Sequence, residues 1–431
     1  MRTRSVLLAV LGTLTLAAPA LADDEMTFAN RPVGATAGEP TLGINKDGTI
    51  FFQAMTQVMR SNDDGLHWTD VHDSALGTTL DPFIHVDVPT GRVISSQLLG
   101  ACQLLAISDD AGQTWTEAPT QCGTVDHQKI GSGPWPSPLD ANPVFPRAVY
   151  TCTNHVADTG CAVSVDGGRT WGPEVTAFPG VDPSAAQGVS DVAGLCGGLE
   201  GDPVSGPDGS IYVAREYCGR PYLGVSHDAG LTWTLIYVEG PAAQTRPIAN
   251  GANNPTVAVA PNGVIWYAWT GDDWRQHVAR SADGGTTWKT WTIQADIKST
   301  TFPYIIAGPH GVATSFVGTR DSDKGPDEAP AKAVWHLFVS SLTDKPDAEW
   351  ETTQVTPGND PVNIGCIGRH GTVCSGHAGM LDFNDMAFTP DGRVAISYTD
   401  ACVKPACKDT NTSQGAAGVL AIQTDGPIIG K

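Results

Sequence analysis

One eight-residue pattern recurs five times and limits what the chain can become: SNDDGLHW from Ser61, SDDAGQTW from Ser108, SVDGGRTW from Ser164, SHDAGLTW from Ser226 and SADGGTTW from Ser281. The starts are separated by 47, 56, 62 and 55 residues, the period of a repeated supersecondary unit. A degenerate sixth copy runs from Ser341 to Trp350. The pattern is a turn device. Its Asp carboxylate can accept hydrogen bonds from nearby backbone N–H groups, its Gly allows a positive φ, and its Trp is placed to pack between neighbouring sheets.

A second repeat precedes each turn, reading as a polar residue or Pro, a short alternating strand, a Gly turn and another apolar strand. Its copies are EPTLGINKDGTIFF, DPFIHVDVPTGRVIS, DPVSGPDGSIYVA, NPTVAVAPNGVIWYA, FPYIIAGPHGVATSF and NDMAFTPDGRVAISY. DHQKIGSGP with the later PRAVYTC supplies one more. Seven units of about 58 residues suit four-stranded blades, so the expected fold is all-β, a single β-propeller of seven four-stranded blades, with six as the alternative. The 49 Gly and 31 Pro fit many short strands and exclude long helices. Either the terminal segment or Met26 to Val33 is expected to close the ring and remove its exposed edge.

Met1-Arg2-Thr3-Arg4, the apolar run Val6 to Ala18 and the small-x-small site Ala20-Leu21-Ala22 read as a secretory leader, residues 1–22, ahead of one propeller domain, 23–431. No later segment is long and apolar enough to span a bilayer. A net charge of −21 argues against a nucleic-acid partner, because phosphate neutralisation needs Lys and Arg. In an exported chain the ten cysteines are expected to pair as sequence neighbours: Cys102 with Cys122, Cys152 with Cys161, Cys196 with Cys218, Cys366 with Cys374 and Cys402 with Cys407. A zinc site of Cys366, His370, Cys374 and His377 is the competing reading of one pair.

The S-x-D-x-G-x-T-W pattern resembles the Asp-box of sialidase-type (BNR) β-propellers. The resemblance implies that Asp63, Asp110, Asp166, Asp228 and Asp283 lie on outer turns away from a catalytic face. Function is then expected where inner strands begin, at Glu39, Asp81, Asp126, Glu200, Asn254, Phe302 and Phe383, with Asp385 two places into the seventh. Carboxylates gathered there raise one another's pKa or recruit a cation, for which Ca2+ suits clustered oxygen ligands. No other cofactor is expected.

Sialidases pair a tyrosine nucleophile with a glutamate, use an acid/base aspartate and hold the substrate carboxylate with three arginines. On that resemblance Glu200 and Tyr304 are the candidate pair, Asp81 and Asp126 the candidate acids, and Arg215 and Arg275 substrate ligands, with Glu39 and Asn254 beside them. The sequence also departs from the family. Gly38-Glu39-Pro40 stands where an Arg-Ile-Pro motif is expected, and Gln53 to Arg60 carries no carboxylate for the acid/base role. Three functions stay open: a secreted glycoside hydrolase acting on a carbohydrate or glycoconjugate, a non-catalytic glycan- or protein-binding propeller, and a durable extracellular scaffold. Trp135, Trp269, Trp274 and Tyr217 are candidate platforms for sugar rings. A monomer is expected.

Overall fold

A computed structural model describes residues 25–73, 80–123, 126–139, 144–155, 158–179, 198–217, 220–238, 254–294, 296–367, 380, 384–403 and 416–431. The leader lies outside these, as do His370, Cys374, His377, Cys196, Cys218 and Cys407.

Seven antiparallel sheets form the ring. From the axis outward, blade 1 is Thr41–Ile44, Ile50–Ala54, Gln57–Ser61 and Thr69–Asp70. Blade 2 is Leu80–Asp87, Arg92–Leu99 and Cys102–Ser108, edged by Thr116–Glu117 and Gln121–Cys122. Blade 3 is Asp126–Gly133, Ala148–Asn154, Thr159–Ser164 and Val175–Thr176. Blades 4 and 5 begin at Val204–Ser205 and Thr256–Val259 and end at Thr234–Tyr237 and Lys289–Thr292. Blade 6 runs from Ser299–Gly308 to Glu351–Gln354. Blade 7 is Asp385–Phe388, Val394–Asp400 and Ala417–Asp425, completed by Thr27–Thr36 from the other end of the chain. Each inner strand lies beside the next, and the seventh lies beside the first, which closes the ring. A single turn of 3-10 helix spans Pro326–Glu328.

Why the eight-residue pattern ends a blade hairpin is visible in its hydrogen bonds. In blade 2 Asp110 Oδ1 accepts from the Thr114 N–H at 2.8 Å and from the Ser108 hydroxyl at 2.8 Å. Ser108 Oγ in turn accepts from the Gly112 N–H at 2.8 Å. The same serine–aspartate–glycine links recur at Ser61, Ser164, Ser226 and Ser281. Gly112 has φ +78°, which a Cβ would strain, and an added Cβ would lie 2.9 Å from Val71. The stretch around Ser341 sits on the matching turn of blade 6, where Trp350 packs edge-on against Trp266 and Trp291. Apolar clusters fill the spaces between neighbouring sheets.

Cys102–Cys122 and Cys152–Cys161 are disulfides, each joining residues directly opposite on paired strands. Cys366 and Cys402 are also disulfide-bonded, to partners outside the described residues, and a bonded Cys366 is not available as a zinc ligand. No helix among the described residues is long and apolar enough to cross a membrane.

Candidate functional site at the propeller axis

Register places the site. In every blade that carries the pattern, its serine pairs with one residue of the second strand, such as Ser61 with Ile50 and Ser281 with Ile265. Three residues further along that strand faces a fixed level of the inner strand. This level holds Thr41 opposite Gln53, Phe83 opposite Ser96, Lys129 opposite Cys152 and Thr256 opposite Ala268. In blade 4 Val204 faces Tyr212 and Glu200 faces Arg215, which brings Asp202 to the level of Ala214. Tyr304 and Asp385 occupy the inner strands of blades 6 and 7, opposite Ser315 and Ser397.

Four of these side chains meet across the axis. The Tyr304 hydroxyl donates to Asp202 Oδ2 at 2.5 Å, with the Asp385 carboxyl beside it. Asp202 Oδ1 lies 3.6 Å from Lys129 Nζ, whose ammonium sits 4.8 Å from the centre of the Phe83 ring. Asp385 Oδ2 accepts from the Leu42 N–H at 2.8 Å, tying blade 7 to blade 1. Lys129 and Asp385 are 3% and 4% exposed, so the cluster sits deep, while Tyr304 is half-buried. Burial, and then the charge of Asp202, push the Asp385 carboxyl up to about 7. Burial and the two carboxylates likewise raise the Tyr304 phenol well above its ordinary value. The arrangement offers a hydroxyl with a proton acceptor at hydrogen-bond distance, a second carboxyl that keeps its proton near neutrality, and one counter-charge.

The residues singled out in the sequence lie mostly one layer away. Glu200 is fully buried in the wall between blades 3 and 4, where Oε2 accepts from the Thr159 hydroxyl at 3.3 Å. Burial pushes its carboxyl up to about 8, opposed by the Arg215 and Lys129 charges. Arg215 is equally buried, bonded to Thr159 and, at 3.3 Å, to Asn154 Oδ1, with its guanidinium 5.9 Å from the Phe178 ring. The expected partner of Tyr304 is Glu200; the hydroxyl is instead bonded to Asp202. Asp81 Oδ2 accepts from the His127 N–H at 3.3 Å, and Asn254 Nδ2 lies 3.1 Å from His127 Nε2. Glu39 is buried and Asp126 exposed. Arg275 donates to the Ile297 carbonyl at 2.8 Å, on the link from blade 5 to blade 6. Trp135, Trp269 and Trp274 are 7%, 1% and 5% exposed, so none presents a face for a sugar, and the side chain of Tyr217 lies outside the described residues. Among the described residues no three His, Cys, Asp or Glu side chains are grouped to hold a metal ion.

Sequence reasoning missed Asp202 and Lys129. The Asp202-Pro203 dipeptide matches Asp81-Pro82 and could have marked the strand start; nothing comparable marks Lys129.

No protein-family model matches the chain, and no curated protein is detectably similar in sequence. Solved structures are similar in fold. An ancestral GH74 enzyme superposes with a TM-score of 0.51 at 12% identity, over 91% of this chain and 47% of the enzyme. The GH74 xyloglucanase of Xanthomonas campestris gives 0.49 at 14% identity, over 86% and 53%. The NanB sialidase of Streptococcus pneumoniae gives 0.46 at 12% identity, over 94% and 71%. The chain spans about half the length of the two GH74 enzymes. By fold the chain is a seven-bladed β-propeller, and the likeness is one of architecture.

Proposed function

We propose that this protein is an exported glycan-acting propeller, a glycoside hydrolase whose reaction centre is Tyr304 with Asp202 and Asp385. The observation that carries this reading is the Tyr304 hydroxyl held between two carboxyl groups on the axis. As Tyr304 Oη attacks the anomeric carbon, its proton passes to Asp202 Oδ2. Asp385 gives its proton to the departing oxygen, and water later releases the sugar from the tyrosine with the first configuration restored. Lys129 balances the charge on Asp202. The five recurring turns act as Asp-boxes, supporting the ring from the end opposite the inner-strand starts.

Arg215 is enclosed in the wall and engaged by Thr159 and Asn154, so it does not serve as a clamp for a substrate carboxylate. Asp202 and Asp385 place two carboxyl groups at the centre itself. A neutral glycan therefore suits the site better than a sialoside. The depth of Lys129 and Asp385 favours one second reading, in which the cluster ties the blades together and the mouth only binds glycan.

Hydrolysis of a panel of neutral aryl glycosides and an aryl sialoside, by wild type and Tyr304→Phe, with and without chelator, tests the proposal. Turnover of a neutral glycoside that Tyr304→Phe abolishes is the expected result. Turnover indifferent to that change would overturn it, and a loss with chelator would restore calcium to the site.

A further inference from the structure

The outer strands of blades 2 and 3 are only two residues long, and the flank between these blades is left as a groove of about 440 Å³. Pro119 to Gly123 form one wall; His155, Thr170 to Gly172 and Glu174 form the other. Three features distinguish it from a packing gap. Both disulfides resolved between described residues brace it: Cys122 is in the wall and bonded to Cys102, and Cys152–Cys161 clamps the strand pair that ends at His155. Polar groups line one wall, with His155 Nε2 at 3.2 Å from Glu174 Oε2 and the Thr153 hydroxyl hydrogen-bonded to both side chains. Two buried donors in its walls, Gln121 Nε2 and Trp171 Nε1, have no hydrogen-bond partner; of the four equivalent indoles, Trp115, Trp233 and Trp288 donate to a backbone carbonyl and Trp68 does not.

We propose that this groove is a second carbohydrate site, separate from the axis, holding a neutral sugar unit against the Trp171 indole. An indole edged by a carboxylate, an imidazole and an amide combines an apolar face for the C–H side of a pyranose with partners for its hydroxyls. The volume falls in the range of small-ligand sites, and walls stapled by disulfides need little ordering when a ligand enters. Such a site retains a polysaccharide chain on the flank of the ring without taking part in bond cleavage.

Titration of maltohexaose, cellohexaose and chitohexaose, followed by calorimetry and tryptophan fluorescence, tests this directly. Thr120 is exposed, so Thr120→Trp fills the groove without disturbing the core. At least one hexaose is expected to bind wild type, with affinity reduced at least tenfold in Thr120→Trp and in Glu174→Gln and unchanged in Tyr304→Phe. Absence of hexaose binding at millimolar concentration, or binding that Tyr304→Phe removes and Thr120→Trp leaves intact, would overturn the proposal. Because binding rather than turnover is measured, the result is independent of whether the axis is catalytic.

Discussion

The hydroxyl of Tyr304 meets Asp202 at 2.5 Å across 102 residues of chain, one from blade 6 and one from blade 4. A contact made across the axis depends on the whole ring holding its diameter. Removing the phenolic oxygen in Tyr304→Phe, or the acceptor charge in Asp202→Asn, is expected to lower turnover by a factor of about 10² to 10⁴. Stability should change by only about 1–2 kcal/mol. Parallel measurements of kcat and thermal unfolding separate the two effects; equal turnover in wild type and both variants would remove Tyr304 from the mechanism.

Stability should decline as pH rises from about 4 to about 8. Unfolded Asp385 and Glu200 ionise near their ordinary values of 3.8 and 4.5, while in the folded protein they hold protons to about 7 and about 8. Across that window the folded state binds more protons than the unfolded one. Each group therefore lowers stability with rising pH, by up to about 1.4 kcal/mol per unit, until it ionises in the folded state too. Asp110 and Asp283 act oppositely: hydrogen bonds to Thr114 and Thr287 hold their carboxyls at about 2, so their contribution is complete above pH 4 and lost as pH falls through 2. Calorimetric Tm from pH 3 to 9 should peak on the acidic side, and Asp385→Asn or Glu200→Gln should flatten the decline from there to about pH 8.

At the turn of blade 4, Ser226 Oγ accepts from the Gly230 N–H and donates to Asp228, both at 2.8 Å. Ser226→Ala leaves a buried N–H unsatisfied and is expected to cost about 1–3 kcal/mol in urea unfolding. An unchanged midpoint would show that the turn is held by Asp228 alone.

Arg215 and Glu200 should couple only where the acid is charged. With the glutamate titrating near 8, a double-mutant cycle of Arg215→Met and Glu200→Gln is expected to give coupling close to zero at pH 6 and about 1–3 kcal/mol at pH 9. Identical coupling at both values would mean that Glu200 is ionised throughout.

The ring was legible in the sequence because both of its repeats are local: a turn needs its Ser, Asp and Gly within five residues, and an inner hairpin needs its strands either side of one turn. Blade number followed from their alternation, and the position of Tyr304 from its place early on an inner strand. The level at which side chains meet on the axis was not legible. Blades 2, 3 and 6 each carry an extra residue at the start of the inner strand, with Asp81, His127 and Phe302 at φ +45°, +52° and +55°. These are non-glycine residues in a conformation that sequence does not announce, and each bulge moves the following side chain by one place. Blade 4 likewise has one extra residue between the Glu200–Arg215 bridge and the Val204–Tyr212 pair, so Glu200 attracted notice that belonged to Asp202, and Lys129 went unseen because a lysine gives no hint that its charge will be enclosed.

Blade 7 takes three strands from Asp385–Asp425 and its fourth from Thr27–Thr36. The earliest strand of the described chain has no partner in the ring until the last, itself paired with Val394–Asp400, is in place. Until then the molecule is an open arc with two unpaired rims, and the distance across it, on which the Tyr304–Asp202 contact depends, has no fixed value. The final pairing acts as a latch: the slow long-range event in folding is also the event that assembles the centre, so activity should appear in refolding only with the last phase.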